Sequence, residues 1–276
     1  MKIKKTKSKK RKKLKKKEQI RNKNVHPPSL PARENHEQLA FTSTGEIFQP
    51  IRLHYEVIET EKLPIEFPKL QCMDYDHQQE RWVWLYTAEA ARLLLKNQPN
   101  GKDPIVIGEF ILKGDNEIVL NLRSFERAIE ALVFFDRYIP RTTARVTHIT
   151  TINKLFSIEE ATSITKLDKI FERSDITIRN PDVITQKLLG IAEKTDNQVE
   201  RLKAVGQFIE ELSSQAQPEI EKFPANYYED GIDSVRFSLN SSKYIAIQHW
   251  KGNKNYTTRD AIRDMITAGN GFEYPE

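Results

Sequence analysis

Alternating apolar and polar positions predict most of the β-strands of this chain. Residues 51–58 alternate with period two, which places the odd-numbered apolar side chains on one face of a strand. Residues 70–75 and 81–86 are predicted to form an antiparallel hairpin across a polar turn. Residues 105–112 and 117–122 are predicted to form a second one. The first half of the chain therefore predicts one strand followed by two hairpins.

Apolar positions spaced by about 3.6 residues predict the helices. The clearest helix runs from Phe125 to Ile139, with Ser124 as its N-cap and Pro140 as its end. Four more helices are predicted from caps and apolar stripes: Thr87 to about Lys96, a capping box at Ser157–Glu160, Asn180 to about Lys194, and Val199 to Leu212 with apolar positions Val205, Phe208 and Ile209. A final helix is predicted from Thr257 to about Gly269.

The remaining apolar runs predict strands in the second half of the chain. Residues 145–150 are predicted to form one strand, and residues 235–239 and 243–248 a last hairpin. Strands thus occur mainly in neighbouring hairpins, with helices between them. The predicted fold class is therefore α+β, with a largely antiparallel sheet and a helical hairpin in the C-terminal half.

Charge is distributed very unevenly along the chain. Residues 1–24, called the arm, contain fourteen Lys and Arg and one acidic residue, which gives a net charge of +13. The remaining chain has thirty basic and thirty-eight acidic residues and a net charge of −8. The arm has too few apolar side chains to offset about 1–2 kcal/mol of backbone entropy per residue, so we predict that it is disordered. A proline-containing linker, residues 25–38, then leads to the body, residues 39–276. The body is predicted to be a single α+β domain, with subdomains 39–156 and 157–276 as the alternative.

The basic arm indicates a polyanionic partner. Its densest cations are Lys9, Lys10, Arg11, Lys12, Lys13, Lys15, Lys16 and Lys17. We favour the phosphates of RNA or DNA as the partner, bound without sequence specificity, because the arm has no aromatic residue for stacking and no helix that presents base-reading side chains. An anionic membrane surface is less favoured. A nuclear-import address and a solubilising tail are further alternatives.

Composition and motifs exclude several classes of protein. The longest apolar run, residues 131–135, is far below the roughly 18–20 residues of a membrane-spanning helix. No apolar stretch follows the basic N-terminus, as it would in a signal peptide. The single cysteine, Cys72, excludes a disulfide framework and a zinc site built on several thiolates. These features favour a reducing intracellular compartment, the cytoplasm, or the nucleus in a eukaryote. No phosphate-binding loop, dinucleotide-binding motif or kinase signature is present.

One cluster of side chains, Asp74-Tyr75-Asp76-His77, suggests chemistry. In a strand Asp74 and Asp76 share a face about 7 Å apart, so both could bind one Mg²⁺ or Mn²⁺ ion beside His77. An Asp-rich hairpin turn is the ordinary alternative, and we expect no resident cofactor if it holds. Weaker candidates are His148 as a general base, Glu229, Asp230 and Asp233 as paired carboxylates, and Trp82, Trp84 and Tyr86 as a base-stacking face. For these we favour packing or a turn.

The sequence favours an intracellular, non-enzymatic binding or adaptor protein over an enzyme. In this interpretation the arm holds the acidic body at RNA or DNA, and nothing in the sequence indicates the partner of the body. The alternative is a metal-dependent hydrolase or transferase that uses Asp74, Asp76 and His77. None of these residues points to a particular family.

Overall fold

A computed structural model describes residues 37–97, 104–194 and 196–268, which are built on one eight-stranded sheet. The strands are β1 (Ile51–Val57), β2 (Met73–Asp76), β3 (Arg81–Leu85), β4 (Val106–Leu112), β5 (Glu117–Leu122), β6 (Ala144–Ile152), β7 (Thr177–Ile178) and β8 (Ile220–Pro224). Their order across the sheet is β2-β3-β4-β5-β1-β6-β8-β7. Neighbouring strands are antiparallel except β7 and β8, which are parallel. The predicted α+β class with a mostly antiparallel sheet is confirmed. The predicted disordered arm lies outside the described residues.

Three of the described helices, α2, α3 and α5, begin directly after the capping residues that the sequence predicts. The helices are α1 (Leu63–Glu66), α2 (Phe125–Tyr138), α3 (Ile158–Ser163), α4 (Asp168–Phe171), α5 (Pro181–Ala192), α6 (Gln198–Ser213), α7 (Tyr227–Trp250) and α8 (Thr258–Ala268). The hydroxyl of Ser124 accepts a hydrogen bond from the backbone N–H of Arg127 at the start of α2. Ser157 and Glu160 form both bonds of the predicted capping box. Each cap satisfies N–H groups that the first turn of a helix leaves without a partner.

The main core lies on one face of the sheet, beneath α2 and α7. Rings dominate it: Trp84 lies 4.8 Å from Phe135 between ring centroids, and Phe110 lies at the same distance from Phe135. Each such side chain contributes about 1.5–3 kcal/mol when fully buried. A second, smaller cluster around Ile152 and Phe171 lies on the opposite face, beneath α3 and α4. The helices therefore cover the two faces of the sheet to different extents. Each face also borders a cleft.

The predicted hairpin over residues 235–239 and 243–248 is wrong, because these residues form one part of α7. The alternation that suggested strands coexists with a helical period: Val235, Leu239, Ser242 and Ala246 are all buried at spacings of three and four residues. The serines between the two predicted strands lie within the helix, where the Ser241 hydroxyl donates to the carbonyl oxygen of Phe237.

The predicted helix from Thr87 to about Lys96 is also wrong. Only residues 88–92 form a helical turn, of the tighter 3₁₀ type, and the Thr87 side chain makes no capping hydrogen bond. Beyond it the chain is extended, so that Leu93 and Leu95 are buried while Leu94 is exposed. Two leucines therefore reach the core in the extended form. Strands β7 and β8 were not predicted at all.

Candidate binding sites on the two faces of the sheet

The hairpin of β2 and β3 carries the residues predicted as a metal site. Asp74 and Asp76 share a face of the sheet, as predicted. The Asp76 carboxylate accepts hydrogen bonds from the backbone N–H groups of Gln78 and Gln79, at 3.0 and 3.2 Å, and lies 3.5 Å from the Arg81 Nε. This carboxylate therefore already stabilises the hairpin turn.

Asp74 and His77, the two other residues of the predicted metal site, each make a contact with Tyr75. The Asp74 carboxylate accepts a hydrogen bond from the Tyr75 N–H, and the His77 ring packs edge-on against the Tyr75 ring at 4.8 Å. Within the described ranges no group of three His, Cys, Asp or Glu side chains is arranged to hold a metal ion. The binding of Mg²⁺ or Mn²⁺ by Asp74, Asp76 and His77 stays a prediction.

An aromatic cleft opens beside this hairpin, on the face that carries the main core. Its volume is about 750 Å³. Its lining includes Phe67, Tyr75, Trp82 and Phe110, together with the exposed side chains of His77 and Glu80. We call this site the aromatic cleft. The Trp82 ring lies 5.0 Å from the Tyr75 ring and 5.3 Å from the Phe67 ring. Small-molecule sites in proteins commonly measure about 300–1,000 Å³ and are mostly apolar, with a few polar groups.

The stripe of Trp82, Trp84 and Tyr86 divides between core and cleft. Trp84 is fully buried, and Trp82 and Tyr86 pack against the main core, which confirms the favoured packing interpretation. Trp82 nevertheless keeps part of its ring exposed in the aromatic cleft. Of the three rings, it is the one that lines this cavity and is available to stack on a planar group.

A polar groove of about 620 Å³ lies on the opposite face, between the sheet and the segment that contains α3 and α4. Its charged lining consists of Glu80, Arg81, Glu109, Arg123, Lys166 and Asp168, and amide side chains, including that of Asn121, also line it. Arg81 and Glu109 form an ion pair of 2.5 Å across β3 and β4. Because both signs of charge line it, the polar groove does not favour one class of ion.

A network of hydrogen bonds and ion pairs around Arg52 stabilises one wall of the polar groove. The Arg52 Nε donates to the Asn121 Oδ1 at 2.8 Å, and its guanidinium also donates to the Asp168 carboxylate. Asn121 and Lys113 donate to the same carboxylate at 3.0 and 3.4 Å. Burial tends to raise the pKa of Asp168, but these bonds and the nearby cations outweigh burial and the pKa falls. The network thus joins α4 to strands β1 and β5.

A second buried group, His54, lies farther along β1 on the same face. Its Nδ1 lies 2.7 Å from the Glu117 Oε1, and its Nε2 lies 2.8 Å from the Thr150 Oγ1. Burial is the largest influence and lowers the pKa of His54 to about 4, so the ring is neutral at pH 7. An ionised carboxylate only accepts, so the Nδ1 carries the proton and the Nε2 accepts from the Thr150 hydroxyl.

This carboxylate, imidazole and hydroxyl order is also found in the catalytic triads of hydrolases. Here Thr150 is 2 % exposed and His54 is 7 % exposed, so a substrate cannot reach the hydroxyl. The arrangement stabilises the sheet rather than forming a reaction centre. Arg52 and His54 were not predicted as site residues, because the alternation of β1 places them on the face opposite its apolar side chains.

The other residues that the sequence singled out have structural roles. Cys72 is fully buried, and burial together with the Glu89 carboxylate raises the pKa of its thiol to about 12, so this residue packs as a small buried hydrophobe. His148 is half-buried in β6, and burial lowers its pKa. Gly231, between Asp230 and Asp233, has a φ of 78° and breaks the regular course of α7.

The eight cations predicted to bind a polyanion, residues 9–13 and 15–17, lie outside the described residues. Comparison of the chain with models of protein families, with curated proteins and with solved structures finds no match. In the described parts of the chain, no helix combines the length and the apolar character that a membrane crossing requires.

Proposed function

We propose that this protein is an intracellular, cytoplasmic binding or adaptor protein without enzymatic activity, whose arm binds the phosphates of RNA or DNA. The observation that carries this proposal is the division of charge, +13 in the arm and −8 in the rest of the chain. Phosphate contacts of this kind position a protein without reading sequence. The acidic body is repelled by the same phosphates, so it stays free to bind a second partner.

Ion pairs within the body support the assignment of phosphate binding to the arm. Several cations of the described residues are neutralised inside the fold, in the pairs Arg52–Asp168, Arg127–Glu46, Arg179–Glu221 and Lys243–Glu126. Each of these pairs has at least one largely buried partner. A cation that is already paired and desolvated gains little by contacting a phosphate. We therefore expect the arm to provide most of the binding free energy.

The aromatic cleft is the best-formed candidate for the second partner of an adaptor. It is larger and more apolar than the polar groove, and Trp82 presents part of its ring to it. Apolar cavities with a few polar side chains at the edge favour small molecules or the apolar side chain of a peptide.

Binding of the full-length chain to a generic RNA and a generic duplex DNA tests the proposal. If about seven phosphates are contacted, affinity should fall by between three and four decades as salt rises from about 50 to 200 mM. A chain of residues 25–276 should bind neither nucleic acid. Unchanged affinity in the shortened chain would overturn the proposal.

A pair of matched variants of the full-length chain makes the test independent of truncation. The first replaces Lys9, Lys10, Lys12 and Lys13 by Gln; the second replaces Lys187, Lys194, Lys251 and Lys254, which are exposed on the body. Both lower the net charge equally. If each arm lysine contacts one phosphate, the arm variant should lose about 3 to 4 from the slope of log affinity against log salt, and the body variant should lose little. Equal losses would mean that overall charge is responsible, which contradicts the proposal.

A further inference from the structure

Helix α6 exposes an apolar stripe that the rest of the described body does not cover. Val199 is 75 % exposed, Leu202 is 66 % exposed and Ile209 is 53 % exposed. The predicted helical hairpin is present, since α5 and α6 pack together, but only Val205 and Phe208 of the predicted stripe are half-buried. The stripe is therefore wider than α5 can cover. Apolar surface of this kind, at several consecutive turns of one helix, marks an interaction surface.

The exposed positions follow the spacing of a helix–helix seam. Val199, Leu202, Gly206 and Ile209 are separated by three, four and three residues, as are the a and d positions of a heptad. Gly206 is in the middle of α6, and a Cβ atom placed there would have no neighbour within 4 Å. A large side chain of an approaching helix can therefore settle on this glycine. We call these four positions the seam.

Charged residues beside the seam favour one arrangement of two helices. In an antiparallel pair, placing Ile209 of each copy on Gly206 of the other brings Lys203 of each copy beside Glu210 of the other. The same register brings Val205 beside Leu212. A parallel pair sets identical residues at the same level and gives neither Lys203 nor Glu210 an oppositely charged neighbour. The charges therefore complement each other only when the two helices run in opposite directions.

A contact between α8 and α6 within one chain lies at the margin of the seam. Arg259 of α8 lies 2.5 Å from the Glu210 carboxylate, and both side chains are half-exposed. The pair holds the carboxylate next to the seam, where a second cation can share it. Ile266 of α8 is 76 % exposed, which extends the apolar surface beyond α6. The described surface at this edge is thus apolar along its centre and charged along its margin, as in protein–protein interfaces.

We propose that the seam is an interface between two copies of this chain, in which α6 pairs antiparallel with α6 of the second copy. The twofold arrangement is closed, since the same surface is used by both copies. It requires neither the arm nor the aromatic cleft, so it is independent of the proposed binding of nucleic acid.

Sedimentation of the full-length chain over about 1–200 µM tests the proposal. The mass should rise with concentration from 32.2 kDa towards twice that value. The measurement is made at about 0.5 M salt, because attraction between a basic arm and an acidic body of another copy is screened there, whereas an apolar seam is not. A chain that stays monomeric at the highest concentration would overturn the proposal.

Two seam variants, Leu202→Gln and Ile209→Gln, should each weaken self-association at least tenfold. Both side chains are exposed, so the midpoint of unfolding at low protein concentration should hardly change. Val183→Gln is the control, because Val183 is a half-exposed apolar residue of α5 outside the seam. Equal self-association of the seam variants and the control would contradict the proposed interface.

An exchange of charge tests the direction of the helices. Lys203→Glu or Glu210→Lys alone places like charges side by side and should weaken self-association several-fold at about 0.15 M salt. The double variant restores opposite charges between the copies, although Lys at position 210 still faces Arg259 of its own chain, so it should associate more tightly than Glu210→Lys alone. Lys187→Glu on α5 should have no effect. A double variant weaker than both single variants would refute the antiparallel register.

Discussion

The Nδ1 atom of His54 lies 2.7 Å from the Glu117 Oε1, across the neighbouring strands β1 and β5. Both groups titrate below their ordinary ranges in the folded protein. Burial lowers the pKa of His54 to about 4. Burial alone would raise the pKa of Glu117, but the hydrogen bond from His54 and the nearby cations lower it. The unfolded chain therefore binds more protons than the folded one at mildly acidic pH.

We expect the stability of the protein to fall as the pH decreases from about 6.5 towards 4. His54 has an ordinary pKa of 6.5 and a folded pKa of about 4, so its neutral form favours the folded state above this window and the advantage is lost within it. At pH 5 the loss from His54 is about 2 kcal/mol relative to pH 7.5. Urea unfolding of the wild type and of His54→Gln at both pH values measures it. His77→Gln, at an exposed position, is the control, and an undiminished pH dependence in His54→Gln would contradict this prediction.

Asp168→Asn should destabilise the fold by about 3 kcal/mol. The Arg52 side chain is 5 % exposed, and the substitution removes its anionic partner while leaving the buried guanidinium charge in place. Asp233→Asn is the matched control, since it removes the partner of Arg236 in an exposed pair, where the cost should stay below about 1 kcal/mol. Denaturant unfolding of the two variants compares the costs directly. Equal and small costs would mean that Arg52 is not held mainly by Asp168.

Two Gly→Ala substitutions should change stability in opposite directions. At Gly108 in β4 a Cβ atom would lie 2.7 Å from the Leu122 Cδ2 and 2.9 Å from the Leu120 Cδ1, so Gly108→Ala should cost about 1–3 kcal/mol. At Gly190 in α5 the added methyl group meets nothing within 4 Å, so Gly190→Ala should gain about 0.5–1 kcal/mol from helix propensity. Thermal unfolding gives both signs, and a stabilising Gly108→Ala would show that β4 can shift to make room.

Titration calorimetry should detect no Mg²⁺ or Mn²⁺ binding with a dissociation constant below about a millimolar. The Asp76 carboxylate is engaged by the Gln78 and Gln79 N–H groups and lies beside Arg81, which lowers its affinity for a cation. The comparison is with Asp74→Asn. Tighter binding that is lost in this variant would instead support the metal-dependent hydrolase or transferase.

Elements were predicted correctly where the capping residues and the spacing of apolar residues both indicate the element that the structure contains. Helix α2 is an example, because Ser124, the apolar period and Pro140 all indicate the same boundaries. Helix α7 was missed because its apolar residues fit both a period of two and a period of 3.6 over short windows. Strand β8 is five residues long and ends in Pro224, which weakens its signal as a strand.

The candidate sites depended on contacts that local patterns do not contain. The aromatic cleft combines Phe67, Trp82 and Phe110, which come from three separate elements. The alternation of β1 predicted its apolar face correctly, but not that Arg52 and His54 on the other face would be buried by later parts of the chain. The metal site of Asp74, Asp76 and His77 was predicted from local sequence and stays a prediction; of these three residues, His77 lines the aromatic cleft.

The position of β1 between β5 and β6 has a consequence for how the protein is made. This central strand leaves the ribosome before both of its neighbours, and Ile51 pairs with Leu122 and Thr151. At about 5–20 residues per second, its second neighbour is complete on the order of ten seconds later. The β2–β3 and β4–β5 hairpins can form in this interval, because each closes a short loop. β1 has two unpaired edges until β5 is made and one until β6 is made, so this apolar strand is exposed to aggregation in the nascent chain.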